Sequence, residues 1–456
     1  MGTTRKALSI GAFQLEPGLD DGGSAPTDGW GDSSAIQTLG SGDALSITSM
    51  NIVGKSETAE NESIDGQAFK DIPNQVQVGA QGSMGGDLRY RGIDKLLYWA
   101  LGFERPGESP ITACQFTIAS ALTDDPEVDD VYSNNSNEFT ITGLDLTLGV
   151  GTIYAKRTSG TGSPTTTGDL DYVSGGEAGD DPITYSATTG LYYSHMFELD
   201  AMDRHFAPYR AVPDEQTAGD YNVGDRKCRM ATIAQKKGPN DHRYPNSMCM
   251  KFALSSQAGG SSTWTADLIA YDEDRGDYSS ASWTFPAGAT GSAYRILHHH
   301  WKVSLGSSGS LTDIGVTDFE IGIDIPLDVK QDTESGLYVA EPIGAAKYSI
   351  TGKLSITRHS VDTYHAYRDA FTALVLKFVA TNGNDQFKIL MQDVVITEAS
   401  TTEDDVSPIP LTFAFGPDTN ALTPFSYELE GHTIVQDSPI LIITNNANST
   451  NEMRRE

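Results

Sequence analysis

At 456 residues the chain is long enough for two or three domains, or for one domain enlarged by insertions. Its 62 acidic residues against 31 basic ones give a net charge of -31, which excludes a surface that wraps nucleic acid through Lys and Arg contacts to phosphate. Three readings of the acidity stand side by side: solubility, a very saline environment, and a wall that faces nucleic acid without holding it.

Residues 1–43, with APTDGWGDSS as the extreme, offer few apolar side chains to offset the entropy of ordering. A flexible arm, or a segment ordered only against a neighbouring subunit, is expected there. Ala44 to Val53 reads as the first regular strand. The stretch 44–103 forms the first part of a core. In it, Val76, Val78, Met84, Leu88 and Tyr90 lead into a helix from near Gly92. Ile93, Leu96, Leu97, Ala100 and Leu101 share its apolar face, and Gly102 stands where a C-cap glycine belongs. A helix of about 15 Å is too short to stand alone in water, so it packs against a sheet.

Residues 104–190 hold the short strand candidates ITACQFTI, EFTITGLDLTL and GTIYAKRT between acidic, glycine-rich loops. They are expected to be an insertion on the outside. A main β-rich core follows over 191–416: LYYSHMFELDA, SMCMKFA, TWTADLIAY and AYRILHHHWKVSL all read as strands.

The clearest stretch is 311–396. Phe319, Ile321, Ile323 and Ile325 alternate with Asp318, Glu320, Gly322 and Asp324, as a sheet with one buried and one wet face requires. KYSITGKLSIT alternates likewise through Tyr348, Ile350, Leu354 and Ile356. The period then changes near 360–373, where Val361, Tyr364, Phe371 and Leu374 describe one helical stripe, and strands resume. Residues 417–456 supply C-terminal strands, with SPILIIT as an edge fit to pair with another subunit, and then a mobile tail. SMGGDLRYRGIDKLLYWALG and SITGKLSITRHSVDTYHAYRDAFTAL share Gly-x-Leu and a basic residue before a short helix. Internal duplication, two equivalent sheet-crossing elements and chance likeness are the alternatives. The fold class is mainly β: an antiparallel barrel or sandwich with a flanking short α-helix and long loop insertions.

Candidate chemistry is sparse. In a strand, His298 and His300 would share a face and could give a metal two ligands, against a structural or surface role. His359 and His365, six residues apart, would not share a face well. Asp272, Asp274 and Asp277 resemble a calcium loop but miss the EF-hand order, which favours a solvated acidic hairpin. Cys114, Cys228 and Cys249 are too few for a disulfide framework or zinc site, although Cys228 and Cys249 could be neighbours. No hydrolase elbow, phosphate loop or metalloprotease motif is present, and no catalysis or cofactor is expected. No run has the roughly 18–20 apolar residues of a membrane span. The N-terminus lacks the apolar core of a signal peptide, so action inside the cell or release by lysis is expected.

The blocks GSMGGDLRYRGIDKLLYWALG, HMFELDA, SMCMKFALSSQAGGSSTWTADLIAYDED, VTDFEIGIDIPL, SITGKLSITRHSVDTYHAYRDAFTALVLKF, FKILMQDVVITEA and PIPLTFAF resemble, in order, major tail tube proteins of long-tailed phages and archaeal viruses. That resemblance implies a structural virion protein whose subunits form hexameric rings, stacked into a tube that conducts DNA without specific binding. It implies tail terminator, baseplate and tape-measure proteins as partners, a place in the virion tail, assembly in the host cytoplasm and no membrane insertion. The acidic wall would then repel phosphate, with Asp318, Glu320 and Asp324 as the lumen-facing candidates and ordinary outer exposure as the alternative. A tail terminator or baseplate ring is one rival. An adhesive or carbohydrate-binding β-sandwich is another, favoured if Trp30, Trp283 and Tyr294 cluster on an exposed face. A secreted hydrolase is a third.

Overall fold

The computed structural model describes residues 10–16, 30–59, 74–104, 111–199, 230–399, 409–415, 425–429, 432–436 and 440–446. Short stretches inside these ranges are outside the description: 32, 34–35, 123–125, 128–129, 148, 160–163, 176–181, 238–239, 287–293, 308–309, 331–332, 334–335, 341, 345–347, 358–360 and 383–384. Expectations that fall on Cys228, His359, the 200–229 loop and the 447–456 tail lie outside the described residues.

The architecture is antiparallel and sandwich-like, without a closed barrel. A central sheet runs in the order Ser49–Ala59, Asn74–Asp87, Thr263–Ala270, Asn240–Gln257, Ser310–Asp324, Ser349–Thr357, Ile409–Phe415 and the end of Asp385–Ala399. Three long strands turn a corner and enter outer sheets, as sandwich strands do at bulges. The core lies between: Ile52, Met84, Phe252, Leu254, Trp264, Leu268, Phe319, Ile321, Ile323, Ile350 and Leu354 are each at most 3% exposed. Alternation in these strands follows from that arrangement, with one face on the core and one in solvent.

The two halves of the chain repeat one topology. In the first, Gly11–Leu15 pairs Ala231–Lys237, which pairs Asn240–Gln257, then Thr263–Ala270, Asn74–Asp87 and Ser49–Ala59. In the second, Trp301–Ser307 pairs Leu374–Asn382, then Asp385–Ala399, Ile409–Phe415, Ser349–Thr357 and Ser310–Asp324. Chain order matches too, with a short helix after the same strand: α1 (Asp94–Leu101) and α2 (Val361–Asp369). Even the irregularities coincide. Ala231 faces Ser247 and Ile233 faces Tyr244, as Leu374 faces Val394 and Leu376 faces Met391. Asn246 and Asp393 take positive φ, 51° and 56°, at these two bulges. A second bulge separates Cys249 from Lys251, and its counterpart separates Ile396 from Glu398. Duplication, one of the three alternatives left by the sequence, is therefore the arrangement observed.

α1 begins at Asp94, later than expected, because Gly92 has φ 77° and is not helical. Ile93, Leu96, Leu97, Trp99 and Leu101 are all buried, and Gly102 closes the helix at φ 88° with its N–H donating to the Tyr98 carbonyl. Only Lys95 of the eight helix residues is not buried. Trp99 donates Nε1–H to the Ser247 carbonyl at 2.9 Å and meets Phe13 edge-on at 5.5 Å. Buried leucines contribute roughly 1.5–3 kcal/mol each, which supplies what an eight-residue helix lacks on its own.

Four expectations need correction. Gly11–Leu15 is a strand with Phe13 buried, so the described part of the N-terminal arm is built into the body. Ile440–Asn446 is no edge: it pairs Ala187–Leu199 on one side and Asp385–Ala399 on the other, with Ile440 to Ile443 fully buried. A continuous apolar run marks a strand covered on both faces, which an edge is not. Phe371 lies past the end of α2 and is 75% exposed, so it does not pack, whereas Tyr364 is buried. His298–His300 is a single 3-10 turn before the strand Trp301–Ser307 and not part of it, and the His299 and His300 rings meet edge-on at 4.6 Å. Between α1 and Ala231 the first half also carries strands Ile111–Ile118, Val131–Asn134, Asn137–Thr147, Val150–Ser159, Gly168–Ser174 and Ile183–Tyr185. These enclose a core of their own around Phe116, Tyr132, Phe139, Ile153 and Tyr185.

Candidate functional site

The solvent face of the central sheet is built by register. Asn51, Ser83, Asp267 and Lys251 form one row across the first half, each opposite the next. Glu320, Lys353, Thr412 and Glu398 form the equivalent row in the second. Between and beside them stand Ser49, Gly85, Thr263, Thr265, Ala253, Ser255, Gly322, Thr351, Ser349 and Ser355. The wall is thus a field of short hydroxyl side chains, glycine and alanine, with charges set at intervals.

Asp318, Glu320 and Asp324 share this face, brought together as the alternation implied. Lys251 Nζ lies 3.3 Å from Asp324 Oδ1, and Ser349 donates its hydroxyl to Asp324 Oδ2 at 3.3 Å. Asp318 accepts hydroxyl hydrogens from Ser355 at 2.9 Å and Thr317 at 3.0 Å. Glu320 is exposed. Sequence reasoning missed Asp267, Glu398, Lys55, Lys251 and Lys353, which lie on the same face. Each is a charge at an alternating position, and which of them become neighbours is set by the register between strands. Carboxylates of Asp267, Asp318, Glu320, Asp324 and Glu398 outnumber the ammonium groups of Lys55, Lys251 and Lys353. The excess is small beside the net charge of -31, so most of the acidity lies elsewhere.

The other candidates do not converge. His298 is held between the Ser256 hydroxyl and the Val316 carbonyl, each at 2.9 Å. His300 Nδ1 lies 3.0 Å from the Tyr90 hydroxyl and its ring stacks on that tyrosine; burial, aided by the neighbouring His299, lowers its pKa. Asp272 accepts from the Glu273 N–H, Asp274 pairs with Arg243 at 2.7 Å and Asp277 accepts from the Ser279 N–H. Among the described residues no group of three His, Cys, Asp or Glu is placed to hold a metal. Cys114 and Cys249 are buried thiols outside any disulfide among the described residues, and Cys249 donates to the Lys251 carbonyl at 3.4 Å. Trp283 is 3% exposed, Trp30 stacks edge-on against Tyr271 at 5.9 Å and Tyr294 lies under Arg91 at 4.4 Å, so no exposed aromatic cluster forms from them. Among the described residues no helix is long and apolar enough to cross a membrane.

No curated protein matches the chain at a significant level. The family model described as phage tail tube protein matches residues 21–417, nearly the whole chain, and the repeated sandwich with its polar wall therefore belongs to the phage tail tube protein family.

Proposed function

We propose that copies of this chain close into rings, and that the rings stack into a hollow tail tube through which viral DNA passes into the host. The observation that carries the reading is the polar wall. One face of the central sheet packs the core, while the other presents hydroxyls, small side chains and more carboxylates than lysines. Such a surface is wetted by water yet offers phosphate few cations, so a duplex slides past without the counterion release that fastens it to a basic protein. The chain then acts by assembly, not by turnover. It is put together in the host cytoplasm, and tail terminator, baseplate and tape-measure proteins meet the tube at its ends and within its bore.

The test is retention of duplex DNA by tubes polymerised from the pure chain. At low salt, wild-type tubes should release duplex, and tubes carrying Glu320→Lys with Asp324→Lys should hold it in a salt-sensitive way. Wild-type tubes that hold duplex as tightly as the variant would remove the repelling wall from the account.

A further inference from the structure

We propose that Asp267 and Asp324 mask Lys251, the lysine that stands between them on the wall, so that its ammonium is not offered to a passing duplex. The two aspartates are then positioning residues for DNA transit. The inference rests on the tube reading above and names the side chains that keep one wall cation from phosphate.

Register sets the arrangement. Lys251 lies opposite Asp267 on one side and opposite Asp324 on the other, so one lysine stands between two carboxylates in a row across three adjacent strands. Its Nζ lies 3.3 Å from Asp324 Oδ1, and the Ser349 hydroxyl, from the next strand, donates to Asp324 Oδ2 at 3.3 Å. Asp267 is exposed, with Ser83 opposite it on its far side. The second half carries a reduced form of the same order: Lys353 stands opposite Glu320 on one side and Thr412 on the other. Lys55 differs, facing Gly79 and donating to the Gln81 side chain.

Stability does not account for this placement. The side chains of Lys251 and Asp324 are 49% and 45% exposed, and ion pairs at such exposure contribute little to folding. The order acid, base, acid acts at short range instead. Like charges directly opposite on neighbouring strands repel, and Lys251 keeps the two carboxylates one strand apart. Each carboxylate in turn is tethered directly across the sheet from the ammonium. A phosphate on a moving duplex has to displace a tethered carboxylate to reach Nζ, and the carboxylate returns as the phosphate moves on. Counterion release drives lysine onto DNA, and the loss of the wall partner offsets that gain.

Masking and plain repulsion predict different things for the same charges. The row Asp267, Lys251 and Asp324 carries -1 in all. Asp267→Asn with Asp324→Asn brings it to +1, and adding Lys251→Gln brings it to 0. If net charge alone governed retention, the triple variant would lie midway between the wild type and the double. Masking places it at the wild-type level, because the lysine that the asparagines expose is gone.

Tubes polymerised from full-length chains and loaded with a linear DNA duplex test this. At low salt, wild-type tubes should release the duplex, and tubes with both asparagines should hold it at least tenfold more strongly. That hold should weaken with salt by about one counterion for each lysine the duplex meets. The triple variant should release duplex as the wild type does. Asp267→Ser with Asp324→Ser, which matches the hydroxyl side chains around the row, should give the same gain as the asparagines. The melting temperature of the free chain should stay at the wild-type value throughout. Double variants that release duplex, a triple variant that still holds it, or a fall in melting temperature would each overturn the masking and leave the repelling wall in place. Wild-type tubes that hold duplex, or a wild-type chain that never forms tubes, would remove the wall reading and this one with it.

Discussion

Phe371 occupies the place in the second half that Gly102 occupies in the first. Both residues end a short helix in the left-handed region, at φ 47° and 88°. The Phe371 N–H donates to the Arg368 carbonyl at 3.1 Å and the Thr372 N–H to the Tyr367 carbonyl at 3.0 Å, a Schellman closure. A side chain there costs about 1 kcal/mol, and Phe371 recovers little of it because its ring is in solvent. Phe371→Gly should therefore stabilise the free chain by about 1 kcal/mol in denaturant unfolding; a loss of stability would mean that the ring packs. Glu16 is the opposite case, a buried carboxylate that takes hydrogen bonds from the Thr232 hydroxyl and from the Asn246 N–H and side-chain amide, at 2.7 to 2.8 Å. Burial raises its pKa against those three donors. Glu16→Gln puts an amide where only acceptors fit and should cost about 1–3 kcal/mol, read from the unfolding midpoint. Burial also pushes Glu273 up, but hydrogen bonds from Arg275 and His242 outweigh it and hold the carboxyl at about 2. A depressed folded pKa contributes stability above the ordinary value near 4.5 that is lost as pH falls towards about 2. Glu273→Gln should thus flatten the acid limb of stability against pH in that window, and an unchanged slope would contradict the assignment.

Among the strands, those with one wet face were legible, and the run covered on both faces was misread as an edge. Ser310–Asp324 and Ser349–Thr357 alternate because solvent covers one side, and the period alone identifies their core residues. The run at Ile440–Ile443 carries no alternation because both faces are covered, which is how a central strand came to resemble a pairing edge. The histidine run failed for another reason: Leu297 is extended, but the turn that follows sends the His298 and His300 rings to different partners, information held in Ser256, Val316 and Tyr90. Of the wall, the three acids of one strand were readable. Asp267, Lys251, Lys353 and Glu398 were not, since register across strands is set by turns and bulges that period cannot reveal. The helix is a sharper test of packing. Leu97 is fully buried in the main core, so Leu97→Ala should cost roughly 2–5 kcal/mol in thermal or denaturant unfolding; a change below 1 kcal/mol would place α1 outside the cooperative core.

For the whole molecule, charge and topology point different ways, and topology decides more. Among the described residues the polar wall holds only a small part of the net negative charge, so on the proposed reading its repulsion of a duplex is local. The repeated sandwich, by contrast, accounts for the two short α-helices among the described residues and for the matching bulges of its two halves. The most direct measurement is cryo-electron microscopy of tubes polymerised from the full-length chain. The account predicts stacked hollow rings whose bore is lined by the face carrying Asp267, Glu320 and Asp324; a filament without a bore, or one with that face turned outward, would contradict it.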